Sequence, residues 1–188
     1  MEKWIVLVIA AAAAIYVIGV FNRLVRLRNL AREGWSGIDV QLKRRTDLVP
    51  NLVEAVKGYA AHERGVFEEV TAMRSSSIAA NSVTAQASAE QGLQASLGKL
   101  FAVAEAYPEL KADKNFLALQ QQLAEIEDQL QMARRYYNGT VRNLNTAVQS
   151  FPTNLMAGTF GFEQQPFFEL DDRSQAAVPG VTFQAPKS

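Results

Sequence analysis

The sequence predicts an all-α fold in which an N-terminal transmembrane helix continues into an elongated antiparallel four-helix bundle, followed by an irregular C-terminal tail. Three observations predict this fold. An uninterrupted apolar run opens the chain, apolar residues then recur at spacings of three and four, and the last long stripe keeps a near-heptad register. The 188 residues leave room for one anchor and one domain. We assign residues 1–22 to the anchor, 23–151 to the bundle, and 152–188 to a Phe-rich docking segment with an extended tail.

The apolar run from Trp4 to Phe21 contains no charged residue. As a helix it measures about 27 Å and nearly spans a hydrocarbon core of roughly 30 Å. Flanking side chains predict head-group contacts: Trp4, Tyr16, Phe21, Arg23, Arg26 and Arg28. A cleaved signal peptide is the alternative, but bulky and basic residues follow the run where a cleavage site requires small ones.

The charges around the apolar run predict its orientation. Lys3 precedes the run, whereas Arg23, Arg26, Arg28 and Arg32 follow it closely. Since Lys and Arg accumulate on the cytoplasmic side of a span, the asymmetry favours a cytoplasmic bundle, and the reverse orientation stays open.

Behind the anchor, the pattern predicts one unbroken helix to about Arg45. Its apolar positions are Leu24, Leu27, Ala31, Trp35, Ile38 and Leu42. Thr46 and Asp47 are residue types that begin helices, and Pro50 is tolerated in a first turn but not in a helix interior. We therefore expect a break between Arg45 and Asp47, and then a second helix to about Arg74.

Two further long helices follow a region of Ala, Ser and Asn with little apolar bulk. The third spans about Ala89–Tyr107 and ends at Pro108. Asp113 is the candidate cap of the fourth, whose stripe keeps heptad spacing over Phe116–Phe151 and predicts bundle packing.

Glycines interrupt two of these predicted helices. Gly34 and Gly37 are weak points of the first, each costing about 1 kcal/mol relative to Ala. In the fourth helix, we expect Gly139 to make room for a side chain of a neighbouring element, and a bend is the alternative.

The character of the sequence changes after Phe151. Pro152 can begin a short helix through Met156. Four phenylalanines follow, more than a solvated tail carries: Phe160, Phe162, Phe167 and Phe168. We expect this segment to dock on the bundle or on another subunit, and residues 171–188 to be extended or mobile.

The composition excludes several kinds of functional site. The chain has no cysteine and one histidine, His62, which excludes disulfides, thiolate metal sites and multi-histidine metal sites within one chain. His62 and Glu63 lack the second histidine of a zinc-protease motif, because position 66 is Val. The 19 basic and 19 acidic side chains balance and give no reason to expect nucleic acid. Without a phosphate loop or nucleophile motif, we expect no cofactor and no enzyme activity.

Polar residues in two segments are candidates for structural or partner contacts. They are Asp39, Lys43, Arg44, Arg45, Asp47, Asn51 and Glu63 in the first, and Asn138, Arg142, Asn143 and Asn145 in the second. We expect the basic run 43–45 to form salt bridges with Asp39, Asp47 or the acidic second half of the chain, with partner binding as the alternative. Glu63 falls on the predicted apolar face and would be a buried carboxylate paired with an arginine. The asparagine set is expected to bond to the turn between the first two helices.

Two long segments of the chain are distinctive: WSGIDVQLKRRTDLVPNLVEAVKGYAAHE at residues 35–63 and ARRYYNGTVRNLNTAVQSFPTNLMAGTFGF at residues 133–162. In both, the chain resembles the LemA family of bacterial membrane proteins. The resemblance implies an N-terminal transmembrane helix, an antiparallel helical bundle and no established catalytic residues. Gly34 departs from the family pattern, which more often has Ala there.

These observations together predict a non-catalytic, membrane-anchored scaffold or adaptor at the bacterial inner membrane. We expect it to contact lipid, to form homo-oligomers and to bind other membrane proteins. Small residues at Ala10 to Ala14 and at Gly19 would let two anchor helices approach closely. The alternative is an accessory or sensory subunit of a membrane protease or of an envelope signalling system.

Overall fold

The computed structural model describes residues 1–169, and all regular structure within them is helical. The helices in chain order are α1 Glu2–Lys57, α2 Arg64–Ala79, α3 Val83–Glu105, α4 Pro108–Lys111, α5 Lys114–Gln149 and α6 Thr153–Thr159. The predicted all-α class is confirmed, as is one long apolar N-terminal helix. The extended or mobile end predicted for residues 171–188 lies outside the described residues.

Helix α1 contains 56 residues and is about 84 Å long. The break predicted between Arg45 and Asp47 is wrong, because Pro50 lies inside the helix. A proline has no N–H for the carbonyl four residues earlier, which here belongs to Thr46. The Nε of Arg74 on α2 donates to that carbonyl oxygen instead, at 2.6 Å. The chain actually turns after Lys57, and α2 begins at Arg64.

Helices α1 and α5 form the long antiparallel pair of the fold. Gly34 lies against the middle of α5, where a Cβ atom on the glycine would be 3.0 Å from the Cα of Tyr137. Farther along α1, Arg45 contacts Glu127, which precedes Tyr137 in α5. The absent side chain of Gly34 therefore lets the two backbones approach closely.

Helices α2 and α3 form a second antiparallel pair, which packs beside the half of α1 and α5 that is distant from the apolar run. Lys99 on α3 forms a salt bridge of 2.7 Å with Glu69 on α2. Four long helices contribute to the main core there, whose residues include Leu52, Val56, Phe67, Val70, Leu93, Leu97, Leu100, Phe116, Leu123 and Ile126. A four-helix core thus forms in this distal half.

The half of the domain nearer the apolar run is built differently. Its core joins α1 to α5 and includes Phe168 from the segment after α6; the buried members are Ala31, Ile38, Leu42, Ala87, Leu130, Tyr137, Val141, Leu144 and Phe168. A third cluster lies next to the end of the apolar run and contains Leu24, Ala147, Ala157 and Phe162. The Phe-rich segment therefore lies along the α1–α5 pair and completes its core.

Local capping explains where the helices begin. The Asp113 side chain accepts a hydrogen bond of 2.9 Å from the backbone N–H of Phe116, so the predicted cap of α5 is confirmed. Helix α3 begins earlier than predicted, because Ser82 caps it by accepting from the N–H of Ala85. The packing role predicted for Gly139 is wrong, since a Cβ atom there would meet nothing within 4 Å.

Candidate functional site

The apolar run forms the first part of α1, and Val20 and Phe21 at its end pack against the rest of the fold. An 18-residue window has a mean hydropathy of 2.7, and none of it is buried. Trp4 and Tyr16 are exposed, as are Arg23 and Arg26 just beyond the run. A helix of this length and composition can cross a bilayer and satisfies its own backbone hydrogen bonds there.

The end of the apolar run is surrounded by aromatic rings. The ring centroid of Phe21 lies 5.1 Å from that of Phe160 and 5.8 Å from that of Phe162, both in edge-on geometry. The guanidinium carbon of Arg28 lies 5.0 Å from the centroid of the Phe162 ring, a cation–π contact. Phe21 and Arg28, predicted as membrane anchors, thus also hold the chain after α6.

Two asparagines of α5 clamp the extended segment that follows these rings. Asn138 donates to the carbonyl oxygen of Phe168 at 3.2 Å and accepts from its N–H at 2.9 Å. Asn145 makes the same pair of bonds to Gln165, at 2.9 and 2.8 Å. The Tyr137 hydroxyl donates to the carbonyl oxygen of Pro166 at 2.9 Å.

The spacing of the two asparagines matches that of the backbone groups they bind. Asn145 lies seven residues after Asn138, a rise of about 10.5 Å along a helix, and Phe168 lies three residues after Gln165, about 10 Å along an extended chain. The expectation that this polar set bonds to the turn between the first two helices is wrong. Asn138 and Asn145 instead bond to the backbone N–H and C=O groups of the extended segment, as a neighbouring strand would in a β-sheet. Arg142 and Asn143, named with them, are exposed.

A charged cluster lies inside the bundle around Arg45, whose side chain is 1% exposed. Its guanidinium contacts the Glu90 carboxylate on α3, also 1% exposed, and the Glu127 carboxylate on α5 at 2.5 Å. Glu90 also accepts from the Ser77 hydroxyl and, at 2.6 Å, from the Gln86 amide. One buried cation thus connects α1, α3 and α5, and Ser77 extends the network to α2.

The other polar residues of the first segment remain at the surface. Asp39, Lys43, Arg44, Asp47 and Asn51 are exposed. Lys43 forms a salt bridge of 2.9 Å with Asp47, and Arg44 donates to Gln41 at 3.2 Å. An exposed ion pair such as that between Lys43 and Asp47 contributes little to stability.

The prediction of a buried Glu63 paired with an arginine is wrong. Glu63 precedes the first residue of α2 and is partly exposed, and it follows the exposed His62 in the turn after α1. Glu63 was predicted on the apolar face of a helix, because the predicted break lay near Arg45 and the second helix was expected to run to about Arg74.

Two side chains outside the membrane span have shifted pKa values. Burial raises the pKa of the Tyr137 phenol above its usual value. Burial also lowers the pKa of Arg134, and the nearby Glu127 carboxylate partly offsets this shift. Both shifts arise mainly from burial of side chains on α5.

The described residues form a wide groove between α1 and α2, and they contain no cluster of side chains that could hold a metal ion. Between the last turns of α1 and the length of α2 lies a groove of about 700 Å³, with Val49, Val53 and Phe67 among its lining. Within residues 1–169, no group of three or more His, Asp or Glu side chains could hold a metal ion.

Comparison with known proteins decides the family. A model described as the LemA family matches residues 34–183. The chain belongs to the LemA family. The match begins at Gly34, the point of close contact with Tyr137, and includes both asparagines and the segment that they clamp. Residues 1–33, with the apolar run, precede the part that the LemA model matches.

Named relatives of this LemA-family chain come from three bacteria. It is 23% identical over 175 residues to the magnetosome protein MamQ 1 of Paramagnetospirillum magneticum, and 23% identical over 174 residues to MamQ of Magnetospirillum gryphiswaldense. Each alignment covers 79% of this chain and 64% of the relative, so the chain spans less than two thirds of the MamQ proteins. It is 28% identical over 163 residues to the protein LemA of Metamycoplasma hominis, covering 86% of this chain and 74% of that protein.

Sequence reasoning missed the partners of Arg45 and of Thr46. One signal pointed to Glu90. Leu97 and Leu93 belong to the apolar stripe of α3, and the same helical spacing of three and four residues continues back to Glu90 and Gln86. Two polar residues therefore lie on an otherwise apolar face. A charged residue on such a stripe predicts a buried partner. No comparable signal marks Arg74, whose acceptor is a backbone carbonyl.

Proposed function

We propose that this LemA-family protein is a non-catalytic scaffold that holds a helical bundle at a fixed distance and orientation from the bacterial inner membrane and assembles with further copies of itself. The observation that carries the proposal is the continuity of α1. One helix includes an unburied apolar window of mean hydropathy 2.7 and continues into the bundle core at Leu52 and Val56. A rigid connection of this kind transmits the position of the anchor to the domain.

Packing along α1 supports a rigid connection. Leu24, three residues beyond the apolar run, is already fully buried. From there Ala31, Ile38 and Leu42 pack in the core shared with α5. Because no unpacked stretch separates the anchor from the domain, the bundle cannot swing freely about the membrane.

Exposed apolar side chains support self-assembly. Val40 on α1 is 53% exposed, and Met132 and Tyr136 on α5 are 51% and 49% exposed. The antiparallel register that joins Gly34 to Tyr137 places Val40 level with Met132, and the helical period of 100° per residue places these side chains away from Trp35 and Phe168. A second copy can bury this patch, since Gly37 beside it leaves open space.

The test of assembly is the mass of the protein in native membrane discs extracted without detergent. The wild-type chain is expected to form oligomers, and Val40→Lys is expected to shift them to monomers. Leu117→Lys is the matched control, because Leu117 is also exposed, at 48%, but lies at the distal end of α5. A monomeric wild type would overturn the proposed self-assembly.

The orientation is part of the proposal and rests on the arginines that follow the span. The chain has no native cysteine, so a Leu117→Cys variant carries a single reactive thiol. In intact spheroplasts we expect an impermeant maleimide to leave it unlabelled until the cells are lysed. Labelling before lysis would place the bundle outside the cytoplasm.

The groove between α1 and α2 favours a second candidate function, that of an accessory or sensory subunit of a membrane protease or envelope signalling system. Its apolar residues Val49, Val53 and Phe67 are bordered by charged ones, including Glu54 and Arg64, as in grooves that bind an amphipathic helix of a partner. Purification from native membranes separates the two functions. A foreign protein in stoichiometric amount would favour the subunit, and self-complexes alone favour the scaffold.

A further inference from the structure

The corner between α5 and α6 exposes large apolar side chains. Phe151 is 79% exposed, Leu155 is 63% exposed and Phe160 is 45% exposed. The opposite side of α6 is packed, since Thr153 and Ala157 are buried. The corner is therefore attached to the domain, in part through the edge-on contact of Phe160 with Phe21, while much of the apolar surface of Phe151, Leu155 and Phe160 stays exposed.

The corner lies where the apolar run of α1 ends. Val20, Phe21 and Val25 pack against the cluster that contains Ala157. The same cluster joins Leu24 to Ala147, so in the antiparallel pair the end of α5 at Gln149 lies near the level of residue 22. Two residues later, Phe151 is near the level of Val20, which belongs to the apolar run.

The charges at this level are those that a lipid head-group region attracts. Arg23 and Arg26 are exposed immediately beyond the run. Aromatic and apolar side chains beside arginines are typical of membrane–water interfaces, where the rings enter the acyl boundary and the cations remain among the phosphates. The corner continues this arrangement from α1 to a second part of the fold.

We propose that Phe151, Leu155 and Phe160 insert into the head-group and acyl boundary of the same membrane that α1 spans. The domain then contacts lipid at two places, the transmembrane helix and the α5–α6 corner. Together these contacts fix the rotation of the bundle about the axis of α1. The inference rests on the anchoring of α1 and adds a lipid-binding surface on the bundle itself.

Spin labels on single cysteines test this inference in the full-length protein, because the chain has no cysteine of its own. Phe151→Cys, Leu155→Cys, Ile9→Cys and Leu117→Cys are each labelled with a nitroxide and placed in vesicles of phosphatidylethanolamine and phosphatidylglycerol. Collision rates with oxygen, which concentrates in lipid, and with a water-soluble nickel chelate report the depth of each label. The oxygen-to-nickel ratio at positions 151 and 155 is expected to exceed that at position 117 several-fold.

The outcomes separate this inference from the proposed anchoring. A lipid-like ratio at position 9 with water-like ratios at 151 and 155 would overturn the inference and leave the anchor intact, whereas a water-like ratio at position 9 would overturn the anchor as well. Spin–spin broadening at 151 or 155 that disappears on dilution with unlabelled protein would show a second copy at the corner, and would also overturn it.

Photo-crosslinking of the unmodified chain gives a second measurement that does not depend on variants. Phosphatidylglycerol with a diazirine in its acyl chain is expected to mark peptides from residues 151–160 in vesicles. Peptides from residues 114–122, at the distal end, serve as the control. Equal marking of both regions, or none at 151–160, would contradict the inference.

Discussion

The guanidinium of Arg45 is paired with the carboxylate of Glu90 inside the bundle, and 1% of each side chain is exposed. The pair joins α1 to α3, and Glu127 brings α5 to the same cation. A buried charge is costly unless it is paired, so the three helices cannot slide past one another without separating these groups. We therefore interpret the cluster as a device that fixes the register of the bundle.

Removing the cation is expected to destabilise the protein strongly. Arg45→Met leaves the Glu90 carboxylate buried without a compensating cation, and the free energy of unfolding should fall by about 3–5 kcal/mol. Adding Glu90→Gln removes the unpaired negative charge and should restore part of the lost free energy of unfolding. Urea unfolding in detergent, followed by far-ultraviolet circular dichroism, measures both. Lys43→Met is the control and should cost less than about 1 kcal/mol, because its ion pair with Asp47 is exposed. A double variant no more stable than Arg45→Met would contradict the account.

The contact between Arg74 and the Thr46 carbonyl predicts a coupling with Pro50. Arg74→Met leaves that carbonyl without its donor and should cost about 1–3 kcal/mol. Pro50→Ala restores a backbone N–H four residues after Thr46, so Arg74→Met should cost less in that background. Unfolding of the two single variants and the double variant gives the coupling free energy. Additive effects would show that Arg74 does not replace the missing helical bond.

The same contact explains which parts of the fold the sequence could predict. Stripes of apolar residues predicted α3 and α5, and Asp113 predicted where α5 begins, because these signals are local. The path of α1 through Pro50 depends on Arg74, which lies 28 residues farther along the chain. No local rule reveals such a donor, and the error moved Glu63 onto a helix face.

The candidate site was predictable to a similar extent. The polar set on the last long helix was recognised from its composition, but the partners of Asn138 and Asn145 were not. Their partners are backbone groups of an extended segment, which has no periodicity to read. The membrane anchor was predicted from the apolar run and the arginines that follow it, because both signals are contiguous in the sequence and need no tertiary information.

The asparagine clamp predicts local release of the segment it holds. Asn138→Ala removes both hydrogen bonds to Phe168, and Asn145→Ala removes both bonds to Gln165. Either variant should accelerate amide hydrogen exchange in residues 165–168 while α2 and α3 keep their protection. Asn143→Ala is the matched control, since Asn143 is exposed on the same helix. Unchanged exchange in the first two variants would show that packing of Phe168 alone holds the segment.

Two glycines in helix interiors should respond oppositely to alanine. Gly139→Ala meets open space and should gain about 1 kcal/mol from helix propensity. Gly34→Ala places its Cβ 3.0 Å from the Cα of Tyr137, so overpacking of about 1–3 kcal/mol should cancel or exceed that gain. Denaturant midpoints of the two variants give the comparison. Equal stabilisation by both would contradict the close approach of α1 and α5.

The buried Tyr137 phenol predicts a loss of stability in alkali. Its folded pKa is raised above 10.0, so the native state binds the proton more tightly than the unfolded state does. This contribution is fully present below about pH 10 and is lost as the pH rises through the folded pKa. Tyr137→Phe lacks it and also lacks the bond to Pro166, worth about 1 kcal/mol. The stability difference between wild type and variant should be constant below about pH 10 and shrink above it. A constant difference throughout would contradict a buried phenol.

The central claim is that the apolar run stays in lipid as part of one helix with the bundle. The most direct measurement is the intact mass of the protein in the membrane pellet and in the supernatant after an alkaline carbonate wash. We predict the full 188-residue chain in the pellet. A shortened chain in the supernatant, lacking its apolar run, would contradict the claim.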